Sequence, residues 1–233
     1  MTPPAPTSAP PLIWLALLLS VTTGLVDAIS VLGLGKVFTA NMTGNVVFLG
    51  FAVAGTPGFH FAPYLAAMSF FLAGAVIAGQ IARAQRGRPL RRWLLLAAMM
   101  EALLLWLAAI IATGFDIASQ SPGPSLYAII ALTALTMGFR NATVRQLKIP
   151  EVTTTVLTLT LTGLAADSTL AGGTNPNWAR RLGSVAAIFA GAVIGATLVL
   201  HVGLVAPLIL AGVLVLAGTA VCARHPAAAQ LIS

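Results

Sequence analysis

Thr39-Ala40-Asn41-Met42-Thr43-Gly44-Asn45-Val46-Val47 and Thr154-Thr155-Val156-Leu157-Thr158-Leu159-Thr160-Leu161-Thr162 are two polar stretches in a chain that is otherwise very apolar. Each follows a hydrophobic span, and each precedes a Gly/Ala-rich one. In a bilayer, short polar segments at matching places in two halves mark a binding site or pathway near the midplane. The pairing points to a transporter or a channel and says nothing of what is carried.

Composition agrees on the class. Of 233 residues, 58% are hydrophobic and 7% charged, with a mean hydropathy of +0.98. A soluble domain carries about 25% charged residues, so the expected fold is all-α, a polytopic helical membrane protein. An outer-membrane barrel alternates polar and apolar residues along its strands, which this chain does not. The net charge of +7 is explained by the excess of Lys and Arg in cytoplasmic loops without invoking nucleic acid. A single cysteine, Cys222, excludes an intrachain disulfide and argues against a thiol metal cluster. His201 has no second His or Cys at ligand spacing, so no metal site is expected. With no nucleophile–base arrangement and no Gly-rich phosphate loop, neither an enzyme nor a cofactor is expected.

A helix needs about 20 mostly apolar residues to cross the hydrocarbon core. Six segments meet this, at about 12–34, 61–83, 93–113, 125–146, 182–200 and 202–222. Two shorter ones, about 38–54 and 152–166, are polar in their first half. They either cross, giving eight spans, or dip in and return, giving six. With six spans and two dips, eleven of the twelve Lys and Arg residues fall on one side, leaving only Lys36 on the other. With eight spans the split is nine to three. The six-span arrangement, with both termini cytoplasmic, fits the positive-inside bias better. Residues 1–11 read as a disordered leader without the basic start of a secretory signal. Residues 12–223 form one transmembrane domain, and residues 224–233 a short tail.

The halves resemble each other. Leu72-Ala73-Gly74-Ala75-Val76-Ile77-Ala78-Gly79 matches Phe189-Ala190-Gly191-Ala192-Val193-Ile194-Gly195-Ala196, and Gly24-Leu25-Val26-Asp27-Ala28 matches Gly138-Phe139-Arg140-Asn141-Ala142. Repeat one covers about 12–113 and repeat two about 125–222, at offsets of 114 to 117 residues. With three crossings per half, the second copy enters from the opposite side, the inverted repetition common in secondary transporters. The polar segments must then be buried in protein or line a cavity, because irregular backbone is not tolerated against lipid.

Gly24-Leu25-Val26-Asp27-Ala28, followed by Val37-Phe38-Thr39-Ala40-Asn41-Met42-Thr43-Gly44-Asn45, resembles the YoaK-like family, a domain of unknown function found in bacterial membrane proteins. The likeness extends to Gly138-Phe139-Arg140-Asn141-Ala142 and to the Thr-rich segment from Thr153 to Thr162, and so covers about residues 12 to 222. One departure is Leu159-Thr160-Leu161-Thr162, where similar proteins often carry Gly-Thr-Leu-Thr. The resemblance implies a location in the inner membrane and implies no activity.

The candidate substrate- or ion-binding residues are Asp27, Thr39, Asn41, Thr43, Asn45, Glu101, Arg140, Asn141, Thr154 and Thr158. A charge at the bilayer centre costs about 2.5–3.5 kcal/mol on insertion scales. Asp27 is therefore either a cation or proton site, or a helix-end aspartate that caps the first polar segment or pairs with Lys36. Glu101, flanked by Met99-Met100 and Ala102-Leu103-Leu104-Leu105, lies too deep to snorkel. It suits a proton-coupled carrier or, structurally, an interhelical hydrogen bond. On a helix Asn41 and Asn45 would share a face, as would Thr39 and Thr43. Thr154, Thr158 and Thr162 repeat that spacing. Side-chain oxygens there suit a small cation, while nearby helix N-termini suit an anion. The alternative is polar packing between helices. Arg140 reads first as a positive-inside anchor, second as a substrate ligand or the partner of an acidic residue. Gly191 and Gly195 fit small-xxx-small packing, within the chain or between copies in a homo-oligomer. The expected partners are membrane lipids and a small solute or ion, and the loop from Arg83 to Arg92 suits anionic headgroups.

Overall fold

The computed structural model describes residues 10–146 and 157–229. Among them are eight α-helices and no strand: α1 Pro10–Gly33, α2 Met42–Val53, α3 Phe61–Ala84, α4 Leu90–Ala112, α5 Gly123–Gln146, α6 Leu157–Ala166, α7 Trp178–Val202 and α8 Val205–Ala223. Five of these, α1, α3, α4, α7 and α8, are long and apolar enough to cross a membrane. Helix α5 is as long, but Thr133, Thr136, Arg140, Asn141, Thr143 and Arg145 make it the most polar of the long helices. Helix α2, with 12 residues, reaches about half the hydrocarbon thickness at 1.5 Å per residue, and 10 residues of α6 are described.

The helices pack as two glycine-mediated pairs around a third. Helix α1 lies against α7, α3 against α5, and α4 against α8. A Cβ on Gly191 would stand 1.9 Å from the Val21 carbonyl oxygen, and one on Gly24 2.0 Å from that of Ile188. Only glycine permits backbones to meet so closely. The second pair has the same construction. A Cβ on Gly138 would stand 1.9 Å from the Phe71 oxygen, and one on Gly74 2.1 Å from that of Leu135. Gly24 and Val21 precede Gly138 and Leu135 by 114 positions, and Gly74 and Phe71 precede Gly191 and Ile188 by 117. The small-xxx-small stretch of α7 thus packs within the chain, since Gly195 also faces Leu25 and Ala28 of α1.

Contacts along these helices set their directions. Leu17 and Gly183, then Leu25 and Gly195, approach in the same order along α1 and α7, which run parallel. Helix α8 runs antiparallel to α1, since Gly33 meets Leu204 and Leu18 meets Gly218. It is also antiparallel to α4, where Trp106 Nε1 donates to the Ile209 carbonyl oxygen at 3.3 Å while Leu94 packs with Val215. Helix α5 runs antiparallel to α4, since Ala108 and Ala112 cluster with Ile129 and Ile130, and Leu94 with Val144. The same chain of directions sets α1 and α5 opposed.

The terminal segments differ from expectation. Helix α1 already includes Pro10 and Pro11, as prolines are accommodated in a helix's first turn; the rest of the expected leader lies outside the described residues. Within the expected tail, Pro226–Ala229 forms a 3₁₀ turn that packs on α4 and α8, burying Ala228.

Candidate functional site

Three helices bring polar side chains to one point in the apolar interior. Helix α4 contributes Glu101, α5 Arg140 and α1 Thr22. Arg140 Nε donates to Glu101 Oε2 at 2.7 Å, and its Nη1 donates to Thr22 Oγ1 at 2.8 Å. The Thr22 hydroxyl donates to the Leu19 carbonyl oxygen of its own helix at 3.0 Å. The side chains of Arg140 and Glu101 are 0% and 4% exposed. Removing one partner from such a buried pair costs about 3–5 kcal/mol, because the other is left uncompensated. Arg140 Nη2 is also buried and has no hydrogen-bond partner among the described residues. Arg140 is therefore no interfacial anchor: its helix turns it inward, where Glu101 answers its charge.

A small cavity lies beside Glu101, on the side of the bundle where α1 begins and α8 ends. Its volume of about 20 Å³ is room for about one water molecule. Glu101, Thr143 and Thr219 supply its polar lining, and Leu15, Leu94 and Val215 are among its apolar walls.

The first polar segment is built differently from a run of helix. Gly35 and Lys36 take positive φ, 75° and 64°, and turn the chain out of α1. The N-cap of α2, Asn41, is extended, so Thr39 and Asn41 precede the helix and share no helical face with Thr43 and Asn45. The polar groups then separate: Thr39 and Asn45 are buried, and Asn41 and Thr43 exposed. The Asn45 amide grips the Phe38 backbone, its Oδ1 accepting from Phe38 N–H at 2.9 Å and its Nδ2 donating to the Phe38 carbonyl oxygen. Gly44 leaves room for the Phe38 ring, which a Cβ there would meet at 2.6 Å. Asp27 Oδ1 accepts from Ala40 N–H at 3.2 Å. Asp27 thus ties the first polar segment to α1, while the Lys36 amine stands over the Phe59 ring, 5.2 Å from its centre. The Thr39 hydroxyl, fully buried, has no partner among the described residues.

In the second polar segment, Thr154 lies outside the described residues and Thr158 is exposed on α6. The buried residue of that helix is Thr160, 115 positions after Asn45, the buried residue of α2. Asn141 Nδ2 donates to Met137 O at 2.9 Å within its own helix. Among the described residues, the candidates Glu101 and Arg140 meet directly. Thr22 was not singled out in the sequence; its signal is the Thr-x-Gly that Thr22 to Gly24 shares with Thr136 to Gly138.

A family model described as "Protein of unknown function (DUF1275)" matches residues 15–221. The chain is 32% identical over 150 residues to "UPF0700 transmembrane protein YoaK" of Bacillus subtilis, a match that covers 64% of this chain and 64% of that relative's length. No solved structure matches. The chain belongs to the DUF1275 family and is a multi-pass helical membrane protein.

Proposed function

We propose that this member of the family is a secondary transporter of a small solute or ion in the bacterial inner membrane, and not an enzyme. It would work by alternating access between two inverted halves, with both termini cytoplasmic. The observation that carries this reading is the sealed Glu101–Arg140 pair where α1, α4 and α5 meet. Ionisable residues inside a membrane are expensive and concentrate on substrate and proton pathways. A pair closed from solvent suits a carrier more than an open pore.

The opposed directions of α1 and α5 and the matched glycine crossings support an inverted repeat. The short helix α2 supports a half-membrane segment, in keeping with the proposed six crossings. Arg83 in the last turn of α3, Arg86 and Arg88 in the turn that follows, and Arg91 and Arg92 at the start of α4 gather at one end, and Arg224 follows α8. These charges share the end of the bundle with the start of α1, whereas Lys36 lies at the other, which supports cytoplasmic termini. The surroundings of this protein are then membrane lipids and a small solute or ion, not nucleic acid, with a homo-oligomer compatible with its apolar outer faces.

Proteoliposomes enclosing a pH-sensitive dye, challenged with a panel of solutes under an imposed pH gradient, test the carrier. A solute-dependent flux that saturates is expected. An ohmic conductance that needs no solute refutes the carrier and favours a channel. A side-specific reporter fused to the C-terminus tests the architecture, and a periplasmic location refutes six crossings.

A further inference from the structure

The sealed pair leaves a donor unused. Arg140 presents a planar fork of N–H groups suited to gripping a carboxylate with two parallel bonds. Glu101 takes only one bond, on Nε, and Thr22 takes one on Nη1. Nη2 is buried without a partner among the described residues. The guanidinium is thus held by a side-chain carboxylate that does not use its full capacity.

Glu101 also borders the small cavity on the side where α1 begins and α8 ends, with Thr143 and Thr219 beside it. One carboxyl therefore touches both the arginine and a space large enough for a water molecule. Beside Glu101, α5 presents Arg140 and Thr143 and α8 presents Thr219, while Thr22 of α1 meets Arg140. The other titratable or charged groups of these helices are Asp27, engaged with Ala40, Tyr127, Arg145, Cys222, and Arg91 and Arg92 at the start of α4.

We infer that Arg140 is a proton-gated binding site for a small carboxylate, with Glu101 as the resident carboxylate that the substrate replaces. A proton arriving through the cavity neutralises Glu101 and ends its charge pairing with Arg140. The fork then takes the carboxylate of the ligand on Nε and Nη2, while Thr22 keeps Nη1 oriented. Loss of the proton returns Glu101 to Arg140 and expels the ligand. Proton and anion are then taken up together. The inference rests on the transporter reading for its physiological role and on the geometry of the pair for its chemistry.

The test uses the full chain in a non-ionic detergent, with pyruvate and succinate as probes, titrated calorimetrically at several pH values. Phosphate and an anionic phospholipid serve as comparison ligands. In the unaltered protein, affinity for the carboxylates is expected to rise about tenfold for each unit by which pH is lowered through the titration of Glu101, one proton per anion. Glu101→Gln mimics the protonated acid and is expected to bind at every pH with no such slope. Arg140→Gln alone would leave Glu101 uncompensated, so the control is the double variant Glu101→Gln with Arg140→Gln. Its fold is checked by circular dichroism and size exclusion, and it is expected to lose binding at least tenfold. A pH slope that survives in Glu101→Gln, or binding that survives in the double variant, overturns the inference. So does binding of phosphate or phospholipid without either carboxylate. Carboxylate binding without uptake in proteoliposomes supports this site while refuting the transporter. Uptake that persists in the double variant refutes this site while supporting the transporter.

Discussion

Gly138→Ala probes the packing of α3 on α5. The added Cβ would stand 1.9 Å from the Phe71 carbonyl oxygen, against 3.4 Å where ordinary contact begins. The deficit is about 1.5 Å. Neither atom belongs to a flexible side chain, so the two helices must separate or slide by a comparable distance. Interiors are close-packed, and a shift of that size forfeits much of the dispersion contact along the crossing. Forced repacking of this kind costs typically 1–3 kcal/mol, and the rigidity of both backbones places Gly138→Ala near the upper end. The internal control is Gly79→Ala on α3, where a Cβ meets nothing within 4 Å. That change should be neutral or stabilising by up to about 1 kcal/mol, since alanine favours the helix. Gly191→Ala, whose Cβ would stand 1.9 Å from the Val21 oxygen, should cost as much as Gly138→Ala if the two crossings are equivalent. Reversible unfolding in mixed micelles at increasing SDS fraction measures all three. A Gly138→Ala protein as stable as Gly79→Ala would refute the backbone contact.

Asn45→Ala orphans the N–H and carbonyl of Phe38 and should cost about 2–4 kcal/mol, read in the same unfolding assay; a change below measurement error would show that water replaces the amide. Glu101→Ala should cost about 3–5 kcal/mol by leaving Arg140 uncompensated, and clearly more than Glu101→Gln, which keeps a hydrogen-bond acceptor; equal costs would argue that Arg140 turns away. In the loop between α4 and α5, the Ser119 hydroxyl and amide and the Ala118 amide bond to the Asp116 carboxylate and hold it below its ordinary value of 3.8. Its folded value is depressed, so this contribution to loop order is fully present above 3.8 and lost only as pH falls through the lower folded value. Hydrogen exchange at Ala118 and Ser119 should therefore stay protected at pH 4.5, and loss of protection already at that pH counts against the carboxylate as the anchor.

Much of the helix plan was legible along the chain. The expected spans at about 61–83 and 93–113 match Phe61–Ala84 and Leu90–Ala112 closely, because a run of apolar residues between Gly, Pro and charged punctuation is a local property. The short helix of the first polar segment, α2, was legible for the same reason, while the polar head of the second lies outside the described residues. The internal geometry of the first segment was not legible. The helical face expected for Asn41 and Asn45 fails because the turn at Gly35 and Lys36 delays α2 until Met42. Arg140 looked most like an anchor because positive charges near span ends usually are.

From composition and spacing, the chain by itself determined a helical membrane protein with candidate close-packing glycines. Only the tertiary structure decided which charges meet. Glu101 lies 39 residues from Arg140, and Thr22 lies 118 residues from it. Sequence periodicity reports the face of one helix, whereas an ion pair depends on which helices are neighbours and in which direction they run. Those are set by the glycine crossings, where two backbones touch and fix the register of everything packed around them.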